Sequence, residues 1–333
     1  PLLLKDRIVT AGRNGTLNAY DLEDGDELAE IELDIPLSGG VGGTEDIWLV
    51  GSRNGELIAV SSKSNEILWR TPVPSEILAR PVVYNKNTVL VRTADGQVLG
   101  VDIETGKINW NYSKTIPALT LRGSSSPVLS RSHFYTGLES GRLIAMSPID
   151  GEVAWDIALT VPEGRSEIQR LVDIDGKSEL YGRVLYAASY HGRIAAIDVT
   201  RGQFLWARSF SSNTGVSVGT DAVYSSDDRS HVWALDRNNG ATLWKQDKLQ
   251  ARSVTRPVIY QDFLVVGDFE GYVHVMSRFD GSFVARTQVD SNGILVPPIV
   301  DGDRLLVLSR DGYLAAYSIE ESVQYSDEEL FDE

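Results

Sequence analysis

The chain has 333 residues, a formal net charge of −16 and a sequence pI of about 4.7, and it contains no cysteine. The charge argues against nucleic-acid binding, because a surface that holds phosphates needs clustered lysine and arginine. The lack of cysteine excludes disulfides, thiol catalysis and zinc–thiolate sites, and no stretch reaches the roughly 18 apolar residues of a membrane-spanning helix.

A short glycine-turn motif recurs eight times along the chain, about 41 residues apart, which is a spacing typical of repeat folds. Dipeptides such as Asn14-Gly15 and Asp95-Gly96 favour two-residue hairpin turns, because glycine and asparagine accept a positive φ. Each motif therefore predicts two antiparallel strands. The motifs are centred, in chain order, on Gly15, Gly55, Gly96, Gly141, Gly192, Ser230, Gly271 and Gly312.

Two more strands complete each repeat. A second turn, such as that ending at Gly106, leads into a strand with a tryptophan four positions after the glycine, and an apolar run such as residues 81–84 precedes each hairpin. We expect these tryptophans to pack between neighbouring sheets. They are Trp69, Trp110, Trp155, Trp206 and Trp244, and Ala29 and Ala285 take the position in the first and seventh repeats.

Four strands in each of eight repeats predict an all-β fold, an eight-bladed β-propeller of four-stranded antiparallel blades. We predict a single domain over residues 1–319 and an acidic tail over residues 320–333 that is disordered or partly completes the last blade. The eighth repeat lacks the tryptophan strand. We therefore expect a last blade of three strands, or one in which residues 323–325 supply the fourth.

The search for reactive groups predicts no catalytic, cofactor-binding or metal-binding residue. The glycine-rich segment 39–43 lacks the lysine and the helix of a phosphate site and reads as a flexible turn. The run Asp173-Ile-Asp175 lacks the third carboxylate and the distal glutamate of a calcium loop. The four histidines show no ligand spacing and are predicted to have surface or turn roles; they are His133, His191, His231 and His274.

The repeat resembles the PQQ-like propeller motif, in which a Gly-x-Leu-Tyr-Ala-Leu-Asp strand precedes Thr-Gly-x-x-x-Trp, and the best matches run from Gly96 to Trp110 and from Gly192 to Trp206. The intervals after Gly96 and after Gly141 are longer than the others, and long loops on a rigid scaffold often carry function. Together with residues 267–272, their segments 119–127 and 167–175 resemble the BamB family, propeller lipoproteins of the outer-membrane β-barrel assembly machinery.

This resemblance implies a non-enzymatic scaffold without a cofactor. It implies binding to BamA through its POTRA domains, assistance in the delivery and insertion of β-barrel proteins, and contact with nascent outer-membrane proteins. It also implies a place at the periplasmic face of the outer membrane through a lipidated N-terminal cysteine, which we expect outside this chain. The partner-binding residues implied are Leu119, Leu121, Arg122, Asp173 and Asp175.

Two alternatives stay open at this point. The alternating leucines of the first segment fit a buried strand face as well as an interface, and Arg122 could pair with Asp173 and Asp175 if both segments emerge on the same side of the disc. At the level of function, the alternative is a quinone-dependent oxidoreductase or another PQQ-like binding module. Such dehydrogenases are usually longer and often carry an adjacent cysteine pair, and this chain has neither feature.

Overall fold

A computed structural model describes residues 1–114, 125–161 and 172–319. The 31 strands in these residues form eight antiparallel sheets that follow one another along the chain, seven with four strands and the last with three. No helix occurs in this described part. The chain divides into two compact units, Pro1–Ala251 and Arg252–Glu333.

The first unit contains sheets 1 to 6. Its strands are, sheet by sheet, β1 (Leu2–Leu3), β2 (Arg7–Ala11), β3 (Thr16–Asp21) and β4 (Glu27–Glu32); β5 (Gly42–Gly43), β6 (Ile47–Gly51), β7 (Glu56–Ser61) and β8 (Ile67–Pro72); β9 (Val82–Val83), β10 (Thr88–Arg92), β11 (Val98–Asp102) and β12 (Ile108–Tyr112); β13 (Val128–Leu129), β14 (Phe134–Gly137), β15 (Arg142–Met146) and β16 (Val153–Ala158); β17 (Glu179–Tyr181), β18 (Val184–Ala188), β19 (Gly192–Asp198) and β20 (Gln203–Phe210); β21 (Val216–Val218), β22 (Ala222–Ser226), β23 (Val232–Asp236) and β24 (Thr242–Gln246).

The second unit contains sheets 7 and 8. Its strands are β25 (Val258–Tyr260), β26 (Phe263–Gly267), β27 (Tyr272–Ser277) and β28 (Phe283–Gln288), followed by β29 (Ile299–Asp301), β30 (Arg304–Leu308) and β31 (Leu314–Tyr317). Sheet 8 thus has the three strands predicted as one alternative. The other alternative involves residues 323–325, which lie outside the described residues.

Each four-stranded sheet pairs its strands in chain order, and the two middle strands are the most buried. The core lies between successive sheets: in the first unit, Leu57 of sheet 2 and Val89 of sheet 3 belong to one buried cluster. The fourth strand is much less buried than the two middle strands and joins the third through a β-bulge in all seven of these sheets, for example between Ala59 and Val60. A bulge increases the local twist of an edge strand.

The predicted packing of tryptophans between sheets is confirmed for four of them in the first unit. Each indole N–H donates to a backbone carbonyl of the next sheet, as Trp155 does to Val199 at 2.8 Å. Each ring also lies against the turn glycine of that sheet. A β-carbon there would come within 2.6 to 2.7 Å of a ring atom, which excludes other residues; the glycines are Gly106, Gly151, Gly202 and Gly240.

The hairpin turns are one residue longer than predicted. The Gly15 N–H donates to the Gly12 carbonyl, and the Gly12 N–H donates to the carbonyl of Thr16. Three residues therefore join the strands, and only Gly15 has a positive φ, of 102°. This is a type I turn followed by a bulge rather than a two-residue turn, in which both residues would have a positive φ.

The glycine-rich segment is not the flexible turn that the sequence suggested. Gly42 and Gly43 form strand β5 at the start of sheet 2, and Val41 beside them is fully buried. A β-carbon on Gly42 would lie 2.0 Å from the carbonyl oxygen of Pro81 in sheet 3. Glycine is needed here because two backbones of neighbouring sheets approach closely.

Candidate functional site

Two of the five predicted partner-binding residues lie in the described part of the chain. Asp173 and Asp175 belong to the connection between sheets 4 and 5, where Asp173 is fully buried and Asp175 is half-buried. The remaining three, Leu119, Leu121 and Arg122, lie outside the described residues, so the predicted proximity of Arg122 to the two aspartates stays a prediction.

The buried side chain of Ile174 anchors this connection to the core. It is fully buried in the core between sheets 4 and 5, and a β-carbon on Gly137 would lie 2.4 Å from its side chain. The backbone on either side is also held: the Tyr190 N–H donates to the Asp173 carbonyl at 2.8 Å, and the Ser125 hydroxyl donates to the Ile174 carbonyl at 3.2 Å. The two carboxylates that flank Ile174 therefore have fixed positions.

A buried ion pair accompanies these aspartates. Arg92, the last residue of β10 in sheet 3, donates from Nη2 to Glu139 Oε1 at 2.5 Å, and their side chains are 0% and 2% exposed. Glu139 lies in the turn between β14 and β15 of sheet 4. The pair thus joins two neighbouring sheets, and both residues act electrostatically on Asp173 and Asp175. We call these four residues the acidic cluster.

The acidic cluster has three carboxyl groups for one guanidinium. Burial, together with the charges of Asp175 and Glu139, raises the pKa of Asp173 to about 8, against the lowering effect of Arg92. Burial also raises the pKa of Asp175 to about 7, against the lowering effect of Arg92. Asp173 Oδ2 and Asp175 Oδ1 are buried and make no hydrogen bond to the described residues. Since an unpaired buried carboxylate is costly, the cluster favours a proton or an additional cation.

Sequence reasoning missed Arg92 and Glu139. The repeat nevertheless contained a signal for the arginine, because Arg92 ends the second strand of its sheet at the position where Gly51, Gly137 and Gly267 end theirs. At those three positions a β-carbon would collide with an isoleucine of the following connection. A long charged side chain at a position where other sheets have glycine indicates that the contact between sheets 3 and 4 differs from the other contacts between sheets.

The predicted surface or turn role is wrong for His274, which lies buried within β27, whereas His231 lies in the connection between β22 and β23 but is buried there. His231 is buried and its Nδ1 lies 2.8 Å from Asp227 Oδ2, and His274 is buried with Nε2 2.7 Å from Asp268 Oδ2. The hydrogen bonds from His274, Arg252 and the Tyr272 backbone hold the pKa of Asp268 at about 2 despite its burial. These pairs satisfy buried polar groups within single sheets.

The other two histidines lie in turns, and His191 rather than Gly192 has the positive φ of its hairpin, 49°. Within residues 1–114, 125–161 and 172–319, no three acidic or histidine side chains are arranged to hold a metal ion. The same residues contain no helix with the length and apolar character needed to cross a membrane.

The family model described as "Outer membrane protein assembly factor BamB" matches residues 13–246 and 236–324. The chain belongs to the BamB family. The Yersinia pestis protein named outer membrane protein assembly factor BamB is 34% identical over 322 residues, which is 93% of this chain and 82% of that protein. Family membership thus extends over the repeats of both compact units.

Solved structures agree with this assignment. The crystal structure of BamB from Moraxella catarrhalis has a TM-score of 0.89 and 28% identity, covering 95% of each chain. The predicted fold, an eight-bladed β-propeller, is confirmed by this match. A quinohemoprotein alcohol dehydrogenase from Pseudomonas putida HK5 also matches, with a TM-score of 0.74 and 14% identity over 94% of this chain and 69% of that one. At that identity the similarity concerns the fold alone.

Proposed function

We propose that this chain is a non-enzymatic scaffold subunit of the machinery that assembles β-barrel proteins in the bacterial outer membrane. It acts at the periplasmic face of that membrane and binds BamA through its POTRA domains. Membership in a family whose members are named outer membrane protein assembly factors carries this proposal. Membrane attachment would come from a lipidated cysteine outside the 333 residues, and nascent barrel proteins are the substrates that the scaffold would help to present.

The charge of the acidic cluster favours it as part of the surface that binds the partner. The cluster contains more carboxylates than cations, and Asp175 is the member that is partly open to solvent. We propose that Asp175 receives a basic side chain of the partner and that buried Asp173, with Ile174, holds it in position. The segment with Leu119, Leu121 and Arg122 would supply the apolar and cationic part of the same surface.

Affinity for the POTRA domains of BamA tests this proposal, measured by calorimetry with the full chain. We expect Arg122→Glu and Asp175→Asn each to weaken binding by about 2 kcal/mol or more, since truncating an interface anchor commonly costs this much. Arg201→Glu is the matched control, because this exposed arginine lies at the opposite end of the strands of sheet 5. This control makes the same charge change as Arg122→Glu, and we expect it to bind the POTRA domains as the wild type does.

Thermal melting of each variant separates an interface role from a structural one. If Arg122→Glu and Asp175→Asn melt with the wild type and keep full affinity, the partner surface lies elsewhere on the chain. If they lose affinity only together with their folded structure, these residues are structural. Stoichiometric binding of added pyrroloquinoline quinone, seen in an absorbance spectrum, would favour the oxidoreductase instead.

A further inference from the structure

A groove separates sheets 4 and 5 at the strand ends opposite to the acidic cluster. It has a volume of about 530 Å³ and lies between the turn that joins β13 to β14 and the turn that joins β17 to β18. Arg131 and His133 belong to the first turn and Arg183 belongs to the second. No role in the proposed function falls on this groove, which makes it a separate candidate for binding.

The floor of the groove is apolar and rigid. Half-buried Trp155 lines it, and the buried ring of Tyr135 stacks against Trp155 with the ring centroids 5.6 Å apart. The Trp155 indole is fixed by its hydrogen bond to the Val199 carbonyl, and Leu180 adds a half-buried aliphatic surface. A large apolar side chain could pack on this floor with little loss of conformational freedom for the protein.

The rim of the groove is cationic. Arg131 and Arg183 are both exposed, and neither forms an ion pair with a described residue. Arg183 donates to the Thr200 hydroxyl at 2.8 Å, which orients its guanidinium, and its charge also acts on the carboxylate of Asp198. The carboxylate of neighbouring Asp198 accepts from the Thr200 backbone instead and does not line the groove. Two guanidiniums thus face a cavity to which the described residues contribute no carboxylate.

This charge is local. The equivalent turns of sheets 1, 2 and 6 carry Asp6, Asp46 and Asp221, and the whole chain has a net charge of −16. A polyanion or an anionic membrane surface would meet those acidic turns, whereas a short segment would meet only the two arginines. The complementary ligand is therefore small in extent, apolar at its centre and acidic at its edges.

We propose that the groove binds an extended polypeptide segment in which an aromatic side chain is flanked by carboxylates. The aromatic ring would pack against the accessible parts of Trp155 and Leu180, and the carboxylates would form forked hydrogen bonds with Arg131 and Arg183, the geometry that guanidinium groups favour. This site is independent of the POTRA-binding surface proposed above.

Fluorescence anisotropy with a labelled Gly-Ser-Glu-Phe-Glu-Ser-Gly peptide and the full chain tests the proposal. We expect saturable binding, and a loss of at least tenfold in affinity for the Arg131→Gln/Arg183→Gln double variant. Peptides with Lys-Phe-Lys or Glu-Ala-Glu at the centre should bind at least tenfold more weakly. Arg13→Gln, which removes an exposed arginine in a turn of sheet 1, should bind the peptide as the wild type does.

Several results would overturn the proposal. These are no binding of the Glu-Phe-Glu peptide, equal binding of the Lys-Phe-Lys peptide, or full affinity in the double variant. Co-sedimentation with anionic phosphatidylglycerol vesicles that the double variant loses would assign the groove to a membrane surface instead. POTRA-domain affinity should be unchanged in the double variant; its loss would show that the groove belongs to the partner surface and is not a separate site.

Discussion

At the scale of single residues, Asp173 is an acidic side chain whose burial could not be predicted from the residues next to it in the sequence. Its carboxyl group shares the acidic cluster with Asp175 and Glu139, opposite the single guanidinium of Arg92. Fully ionised, the cluster would hold excess negative charge away from water. Binding a proton relieves this excess, because burial and like charges favour the neutral form of a carboxyl group.

The raised pKa values make the stability of the protein depend on pH. The folded state binds a proton at Asp173 with a pKa of about 8, whereas the ordinary value is 3.8. The folded protein therefore holds more protons than the unfolded chain between about pH 4 and pH 8, and the free energy of unfolding falls as the pH rises through this range. Below pH 4 both states are protonated and the contribution is fully present.

We expect Asp173→Asn to reduce this pH dependence, because the amide resembles the protonated carboxyl and does not titrate. One unit of pKa difference corresponds to about 1.4 kcal/mol, so the variant should gain at least that much relative to the wild type between pH 5 and pH 8. Urea unfolding at the two pH values measures the difference. Asp46→Asn, at an exposed aspartate, should leave the dependence unchanged. Parallel curves for the wild type and Asp173→Asn would mean that Asp173 is ionised in the folded protein.

At the scale of strands and turns, one rule links neighbouring repeats. Within the first unit, where a sheet carries the tryptophan, the next sheet has a glycine in its turn, and the ring leaves no space for a β-carbon. Sheet 1 has Ala29 at the tryptophan position, and sheet 2 then has Asn65 in the turn, with a φ of 59°. Asparagine tolerates that backbone conformation, and without a tryptophan ring from sheet 1 its side chain can be accommodated.

We expect Gly151→Ala to destabilise the protein more than Gly25→Ala. Both glycines have a positive φ, of 75° and 81°, so both variants bear the cost of a left-handed residue, about 1–2 kcal/mol. A β-carbon on Gly151 would also lie 2.6 Å from the Trp110 ring, whereas one on Gly25 would meet no described atom within 4 Å. This clash should add roughly 1–3 kcal/mol, as overpacking does.

A double-mutant cycle isolates the clash. In a Trp110→Ala background, Gly151→Ala should cost no more than Gly25→Ala does in the wild type, since the ring is gone. Urea unfolding of the four proteins of the cycle gives the coupling energy. A coupling near zero would show that the turn glycine is required by its backbone conformation alone.

The repeated elements could be predicted from the sequence, whereas the junctions between them could not. The alternation around Gly96 and the position of Trp110 are local patterns, and the structure confirms both the strands and the packing of the tryptophan. Arg92 and Glu139 are 47 residues apart and belong to different sheets, so no local pattern indicates that they meet. A surface or turn role is predicted for His274 from the lack of ligand spacing, whereas the fold of the hairpin brings its side chain to Asp268.

At the scale of the whole molecule, the regular spacing of the repeats is sufficient to predict the fold. Each sheet buries its middle strands against its neighbours within a unit, as Val265 and Leu305 of sheets 7 and 8 do in the second unit. A sheet on its own could not cover these faces, so the stability of a repeat comes mainly from its neighbours. The sequence prediction of a single domain over residues 1–319 follows from this reasoning and stays a prediction beside the two compact units.

We expect both units to unfold in one transition. All seven tryptophans lie before residue 252, so they report only on the first unit. Phe263→Trp introduces a probe at a half-buried position next to the core of the second unit. With 6-fluorotryptophan labelling, the additional 19F resonance and the seven original ones should lose native intensity at the same urea concentration, as coincident probes of one cooperative domain do. As a control, the urea midpoints of the wild type and of Phe263→Trp are compared by intrinsic fluorescence, and equal midpoints show that the substitution does not destabilise the protein. A lower midpoint for the residue 263 resonance alone would instead divide the chain into two domains near Ala251, because the second unit would then unfold while the first unit stays folded.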